Sequence, residues 1–353
     1  MNVGVLDCPV SASAHRRVPA AFLVLGFVLV ASVVAAVGFG RVPISAADQL
    51  TIVIDRLGGR SSTIDPRLAS ILLEIRLPRV LLAAVTGAAL ATAGAALQGL
   101  FRNPLADPYL VGVSSGASVG AVLTLTIGLP PALYAAGAVQ LAAFVGAVSA
   151  VSIALLLARA GGRTSVPSLL LAGVAVAAIG GAVSSYLLFF HGERIFAAYA
   201  WLLGGFNAAD WALLGRVVPP VVVSAVGLVA LGPSLDLLQL DEEAAKALGL
   251  RVEGAKLATI GFASLATAAA VSAAGLIAFV GLVAPHVVRI LVGPEHRTLL
   301  VLSALGGATF MVLADLAARI ALPEGDLPVG VVTAAIGGPF FLALLWSRRE
   351  RLA

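Results

Sequence analysis

The sequence predicts an all-α polytopic membrane protein, on three observations. Hydrophobic residues fill 60 % of its 353 positions and charged ones only 11 %, whereas soluble globular domains are nearer half apolar and a quarter charged. Its apolar stretches are unbroken and match the roughly 20 residues needed to cross a bilayer, unlike the alternating ten-residue segments of an outer-membrane barrel. Between two of them lies one dense polar island, Asp236 to Lys256, with eight charged residues in 21. The mean hydropathy of +1.06 agrees. A net charge of +4 is what positive loops on a membrane protein produce, so no nucleic-acid partner is implied. The single cysteine, Cys8, excludes an intramolecular disulfide and a Cys-rich metal site.

Taken in order, residues 1–17 form a polar tail ending His15-Arg16-Arg17, and residues 18–40 run for 23 positions without a charge. That run exceeds a signal-peptide core and has no clear cleavage site, so it reads as a retained first span. Residues 41–79 are polar, with Ala46–Leu57 and Arg67–Leu77 as surface helices. Spans follow at 80–101, 110–128, 134–158 and 166–190. Ile195–Ala209 is too short to cross, and Tyr199, Trp201 and the adjacent Trp211 suit a helix lying at the interface or dipping partway in. Residues 217–235 cross and enter the island, 236–256. From Leu257 to Val288, 32 residues carry no formal charge, too many for one upright helix and few for two. Gly275, Gly281 and Pro285 interrupt them, so spans are expected at 257–275 and, short and broken, at 276–292. Non-helical backbone at that depth must be buried in protein or line a cavity. Spans at 298–320 and 327–347 complete ten within one transmembrane domain, 18–347, followed by a tail at 348–353.

Ten spans put both termini on one side, and Arg16-Arg17 with Arg348-Arg349-Glu350-Arg351 mark it as cytoplasmic. The membrane is then the inner, or cytoplasmic, one. Thirteen Lys and Arg fall inside and nine outside, six of those nine within 41–79. Those six outer arginines need a reason. The island faces the cytoplasm on this topology. Its Leu237, Leu238, Leu240, Ala244, Ala245 and Leu248 can share one face of an amphipathic helix, with Gly249 as its stop. Such a helix offers a surface to a soluble partner. Gly87, Gly94 and Gly99, and Gly112, Gly116 and Gly120, let helix backbones approach closely.

No enzyme chemistry is legible. His15, His191, His286 and His296 are scattered without metal-ligand spacing, so no catalytic residue, metal site or bound cofactor is expected. The only lysines, Lys246 and Lys256, do not follow glycine, and no GxxxxGK[ST] loop exists. If ATP drives the protein, ATP and Mg must sit on another polypeptide. Asp315 is the only acid well inside a span. Ion-coupled carriers keep ionisable groups at depth, which leaves secondary transport as the alternative. Asp315 nevertheless stands four residues from Arg319, the spacing of a local ion pair.

Several motifs then occur in order. They are Arg76-Leu-Pro-Arg79, Gly94-Ala-Ala-Leu-Gln98-Gly, Asn103-Pro-Leu-Ala-Asp-Pro108 and Gly112-Val-Ser-Ser-Gly116. Gly275-Leu-Ile-Ala-Phe-Val-Gly-Leu-Val-Ala-Pro285-His286 and Leu327-Pro-Val-Gly-Val-Val-Thr333 follow. From the first span to the C-terminus the chain resembles the membrane subunits of iron-siderophore, haem and cobalamin ABC importers of the FecCD type. The resemblance implies a type II ABC importer permease: a homodimer, or a pair with a close paralogue, of ten-span subunits around one pore. It implies two cytoplasmic ABC ATPase subunits and an external substrate-binding protein as partners, with membrane lipid around them. Glu243-Ala-Ala-x-x-x-Gly249 resembles the segment by which such permeases engage their ATPase, which implies coupling roles for Asp241, Glu242, Glu243, Ala244, Ala245 and Gly249. It implies an inner gate at Asn103 and Leu105 and, in the 163–168 connection, at Thr164 and Ser165. Arg76, Arg79 and Arg319 would face the binding protein, which accounts for outer arginines.

Overall fold

A computed structural model describes residues 12–59, 64–160, 163–190, 195–322 and 325–349. The expectations for residues 1–11, which include Cys8, for His191 and for residues 350–353 lie outside the described residues. In chain order the α-helices are α1 (Ala12–Gly38), α2 (Ala46–Leu57), α3 (Pro66–Ser70), α4 (Leu77–Leu100), α5 (Val113–Ile127) and α6 (Pro131–Ala135). Next come α7 (Ala138–Ala158), α8 (Val166–Phe190), α9 (Ile195–Leu202), α10 (Trp211–Ala230) and α11 (Gly232–Leu237). The chain closes with α12 (Glu242–Ala247), α13 (Val252–Ala274), α14 (Val280–Val292), α15 (His296–Ile320) and α16 (Val329–Arg349). A two-residue antiparallel pair, β1 (Arg159–Ala160) with β2 (Arg163–Thr164), precedes α8. Among the described residues eight helices are long and apolar enough to cross a membrane, and α5 and α14 are shorter apolar ones.

Side-chain oxygens mark several helix starts. Asp210 accepts the Leu213 N–H at 2.6 Å and starts α10, and Glu295 accepts that of Thr298 at 3.0 Å and starts α15. Each occupies an otherwise orphaned backbone donor. The Asp210 cap starts α10 six residues before the expected position 217. Arg216 does not delay it, because its guanidinium is bound to the Ala136 carbonyl at 2.9 Å.

The surface helix expected over 67–77 is instead the start of the second long helix. A π-helical stretch, Ile71–Arg76, joins α3 to α4 without interruption, and 78 % of the apolar window in this 35-residue rod is buried. Arginines at 76 and 79 do not end it because both are satisfied internally. This rod, α13 and α15 form the centre of the bundle, with α1, α8 and α16 around it.

Glycine sets the distances between central helices. A Cβ at Gly87 would strike the Gly307 backbone, and one at Gly94 the Gly281 carbonyl. Gly116 lies as closely on Gly146. Gly112 is needed for its backbone instead, because a φ of +89° makes the left-handed turn that starts α5.

The uncharged run after Lys256 breaks at Gly275–Phe279, where φ is +71° and +69° at the two ends. Gly281 and Pro285 fall inside α14. The 195–209 segment is helical only to Leu202, and its end docks on the break. The Gly205 N–H donates to the Ala274 carbonyl at 2.8 Å, and the Val329 N–H to that of Gly204 at 3.0 Å. Exposed ladder groups thereby find partners inside protein.

Replacing Gly94 by alanine is expected to force α4 from α14 at a cost of about 1–3 kcal/mol, the usual range for overpacking. Thermal unfolding in detergent should show a lowered Tm. Gly181→Ala, where nothing lies within 4 Å of the new Cβ, should leave it unchanged.

Candidate coupling and gating site

At one end of the bundle the island closes over the C-terminus of α4. It is not the single amphipathic helix expected from its leucines. α11 stops at Leu237, and α12 starts only at Glu242, capped by Asp241, whose carboxylate accepts the Ala244 N–H at 2.7 Å. The intervening turn is held by Arg102, whose guanidinium takes the Leu238 carbonyl at 2.7 Å and that of Leu240 as well. The Gln239 side-chain amide donates a further hydrogen bond to the Gly99 carbonyl at 2.9 Å. The helix divides at Asp241, whose extended backbone (φ −67°, ψ 162°) leaves the helical ladder and whose carboxylate starts a new one. Leu238 and Ala245 are buried, whereas Leu240 and Leu248 are 44 % and 62 % exposed. Asp241, Glu242, Glu243 and Gly249 are exposed and Ala244 is half-buried. Gly249, at φ +87°, turns the chain after α12.

Lys256, near the start of α13, ties this knuckle to the connection before α8. Its buried ammonium lies 2.5 Å from Glu242 Oε1, 3.2 Å from the Thr164 carbonyl and 3.4 Å from Glu253 Oε1. Glu253 Oε2 accepts the Thr164 N–H at 2.8 Å. The structure thus brings Thr164 together with Glu242. Ser165 is exposed and starts α8, its carbonyl accepting the Leu169 N–H at 2.9 Å.

Asn103 and Leu105 lie in the connection after α4. Asn103 is exposed, Leu105 half-buried, and Asn103 Oδ1 accepts the Leu105 N–H at 3.0 Å, fixing the turn. Beyond it the chain folds back into the bundle. Asp107 accepts the Tyr109 N–H at 2.8 Å to start a 3₁₀ turn, Pro108–Val111. The Tyr109 hydroxyl reaches the break after α13, bonding the Ile277 carbonyl at 3.0 Å and its N–H at 3.1 Å. Gln98 donates to the Gly281 carbonyl at 3.1 Å and accepts from Arg289 at 2.8 Å. Burial pushes the Asp107 carboxyl up to about 6, against the opposing pull of the Tyr109 N–H. Burial and the neighbouring Asp107 push the Tyr109 phenol up.

At the opposite end, three arginines and two aspartates knit α1, α4 and α15 together. Arg76 is 8 % exposed and donates to the carbonyls of Val37, Gly38 and Val42 at 2.8, 3.1 and 2.6 Å. Arg79 binds Asp315 at 2.8 Å and Asp326 at 2.9 Å. Arg319 binds Asp315 at 3.0 Å and the Ala36 carbonyl at 2.8 Å. The short-range Asp315–Arg319 pair is therefore present, with a second guanidinium added from α4. Among the described residues no group of three His, Cys, Asp or Glu could hold a metal ion.

Motif reading assigns no role to Arg102, Glu253, Lys256, Arg289 or Tyr109, and it includes Gln98 only as part of a motif. Only Lys256 carried a signal. It is one of two lysines in the chain, and it stands where a charged segment passes into 32 uncharged positions. Arg102, Glu253, Gln98 and Tyr109 bind main chain distant in sequence, and Arg289 binds the Gln98 side chain.

A family model described as the FecCD transport family matches residues 28–347. The chain is 48 % identical over 277 residues to the cobalamin import system permease protein BtuC of Halobacterium salinarum, covering 78 % of this chain and 73 % of that one. It is 38 % identical over 332 residues to the hemin transport system permease protein HmuU of Yersinia pestis, covering 93 % and 97 %. Among solved structures, an ABC transporter of metal-chelate type in an inward-facing conformation superposes with a TM-score of 0.82 at 32 % identity. That match covers 93 % of this chain and 99 % of the other.

Asp315→Asn leaves two guanidiniums without their buried counter-charge, and should cost about 3–5 kcal/mol as broken buried pairs do. A fall in Tm larger than that of an exposed Asp241→Asn control checks it. For Asp107 the sign is opposite. Its folded carboxyl holds the proton more tightly than an ordinary one. The stability it adds is therefore present below about pH 4 and lost as pH rises through about 6. Asp107→Asn retains the Oδ1 acceptor, so it should raise Tm at about pH 7.5, by at most about 3 kcal/mol of stability. The advantage should vanish near pH 4, and a Tm difference flat with pH would refute it.

Proposed function

The chain belongs to the FecCD transport family, and on that premise we propose that it is the permease subunit of an ABC importer for a bulky chelate: an iron-siderophore complex, haem or cobalamin. Family members are pore subunits whose ATPases are separate chains. In this reading a loaded binding protein lands at the arginine end. ATP binding and hydrolysis in two partner subunits move the knuckle, and the path opens at the opposite end. The pore is completed by a second copy or a close paralogue. The apolar windows of α8 and α16 are each only 17 % buried within one chain, leaving faces for that copy and for lipid. Both termini lie in the cytoplasm.

The observation that carries this reading is the knuckle itself. α12 exposes Glu242 and Glu243 and buries Ala245, so it presents a formed polar surface next to an exposed Leu248. The capping carboxylate Asp241, with Glu242, Glu243, Ala244, Ala245 and Gly249, is assigned to ATPase coupling, and Asn103, Leu105, Thr164 and Ser165 to the gate. Arg76, Arg79 and Arg319 are assigned to the surface met by the binding protein. All three are largely buried and their guanidiniums are taken up by internal bonds, so they serve that surface by holding α1, α4 and α15 in place beneath it. An ion-coupled carrier would need a titratable acid at depth. Asp315, the acid inside a spanning helix, is held by two arginines.

Vesicles containing this chain, its ATPase and a loaded binding protein should take up ferric siderophore, haem or cyanocobalamin only with ATP on the ATPase side of the membrane. Glu243→Lys should abolish uptake while insertion into the membrane is normal. Uptake driven by an ion gradient without ATP would overturn the assignment.

A further inference from the structure

Lys256 touches both the knuckle and the connection assigned to the gate. Its side chain is 6 % exposed, yet its three donors meet three oxygens: Glu242 Oε1, the Thr164 carbonyl and Glu253 Oε1. Glu253 closes the loop by taking the Thr164 N–H. Thr164 is therefore gripped at both its backbone polar groups by the first turn of α13. The next residue, Ser165, begins α8. A displacement of Glu242 would reach the root of that helix through one ammonium.

Two further features fit a relay better than a static rivet. Glu242 is 47 % exposed while Lys256 and Thr164 are buried, so one end of the chain of contacts can be reached from outside and the other cannot. Beside it lies a cavity of about 260 Å³ between Leu100, Arg102, Val166, Leu238 and Lys256, which gives the knuckle room to shift against α4 and α8. A lysine suits the position: a flexible stem lets its compact charge follow a moving carboxylate. Without that charge, the two carboxylates and the Thr164 carbonyl face one another with no donor between them.

We propose that Lys256 is a positioning residue that transmits movement of the Glu242 segment to the gate connection at Thr164–Ser165. The proposal rests on the knuckle being the ATPase-coupling surface.

The test needs no knowledge of the cargo. In a Cys8→Ser background, Ser168→Cys places a reporter on the exposed first turn of α8. The complex with its ATPase, in lipid nanodiscs, is labelled with an impermeant maleimide with and without ATP and vanadate, and ATP hydrolysis is followed in parallel. The labelling rate should respond to nucleotide in the parent. In Lys256→Met the response should fall about tenfold, the loss of one charged hydrogen bond, while hydrolysis continues. Lys256→Arg should restore most of it. Glu253→Ala, which leaves Lys256 and the coupling surface in place and removes the acceptor of the Thr164 N–H, should reproduce the decoupling even where the methionine variant folds poorly. A parental response in both Lys256→Met and Glu253→Ala would overturn the proposal, as would hydrolysis and response falling together without rescue by arginine. If Glu243→Lys also leaves hydrolysis and response unchanged, the coupling surface itself is misassigned. If Glu243→Lys abolishes both while Lys256→Met changes neither, the relay alone is wrong.

Discussion

Backbone polar groups at membrane depth have no water to turn to, and this constraint shapes the whole molecule. Most are satisfied within helices. The exceptions concentrate where α13 gives way to α14. There the Tyr109 hydroxyl serves Ile277, Gln98 serves Gly281, and the turn after α9 serves Ala274. These partners come from three distant parts of the chain. The re-entrant connection after α4 and the short α9 are thus what allows a broken helix to exist inside the bundle.

Charge obeys the same constraint. Arg76 directs its donors to carbonyls, Arg79 and Arg319 share Asp315, and Lys256 binds two carboxylates and a carbonyl. Each of these charged groups has partners that offset the cost of removing it from water. The two ends are tied in different ways. At the arginine end a buried aspartate fixes helices to one another. At the knuckle end the ties run between a buried cation and a half-exposed carboxylate.

Much of this was legible in the sequence. Unbroken apolar runs specify an all-α membrane protein without help from any tertiary contact, and Gly249 specifies where the island's helix stops. The FecCD family resemblance, read from ordered motifs, is matched by the family model over residues 28–347. The division of the island was not legible. Leu237 to Leu248 has an acceptable helical period, but Asp241 takes extended backbone to cap a new helix, and Arg102, far off in sequence, holds the turn before it. Nor was the rod from Pro66 to Leu100, since arginines at 76 and 79 read as a membrane boundary until their partners on α1 and α15 are seen. Local pattern predicts local structure. Long-range bonds to main chain leave no trace in it.

The Arg102 clasp has a bearing on how such a protein can diverge. It grips carbonyl oxygens of Leu238 and Leu240, groups that every amino acid supplies. Substitutions in that turn can therefore change the face shown to solvent while the turn keeps its shape. Related chains can thus differ in what this end displays without any redesign of the bundle beneath.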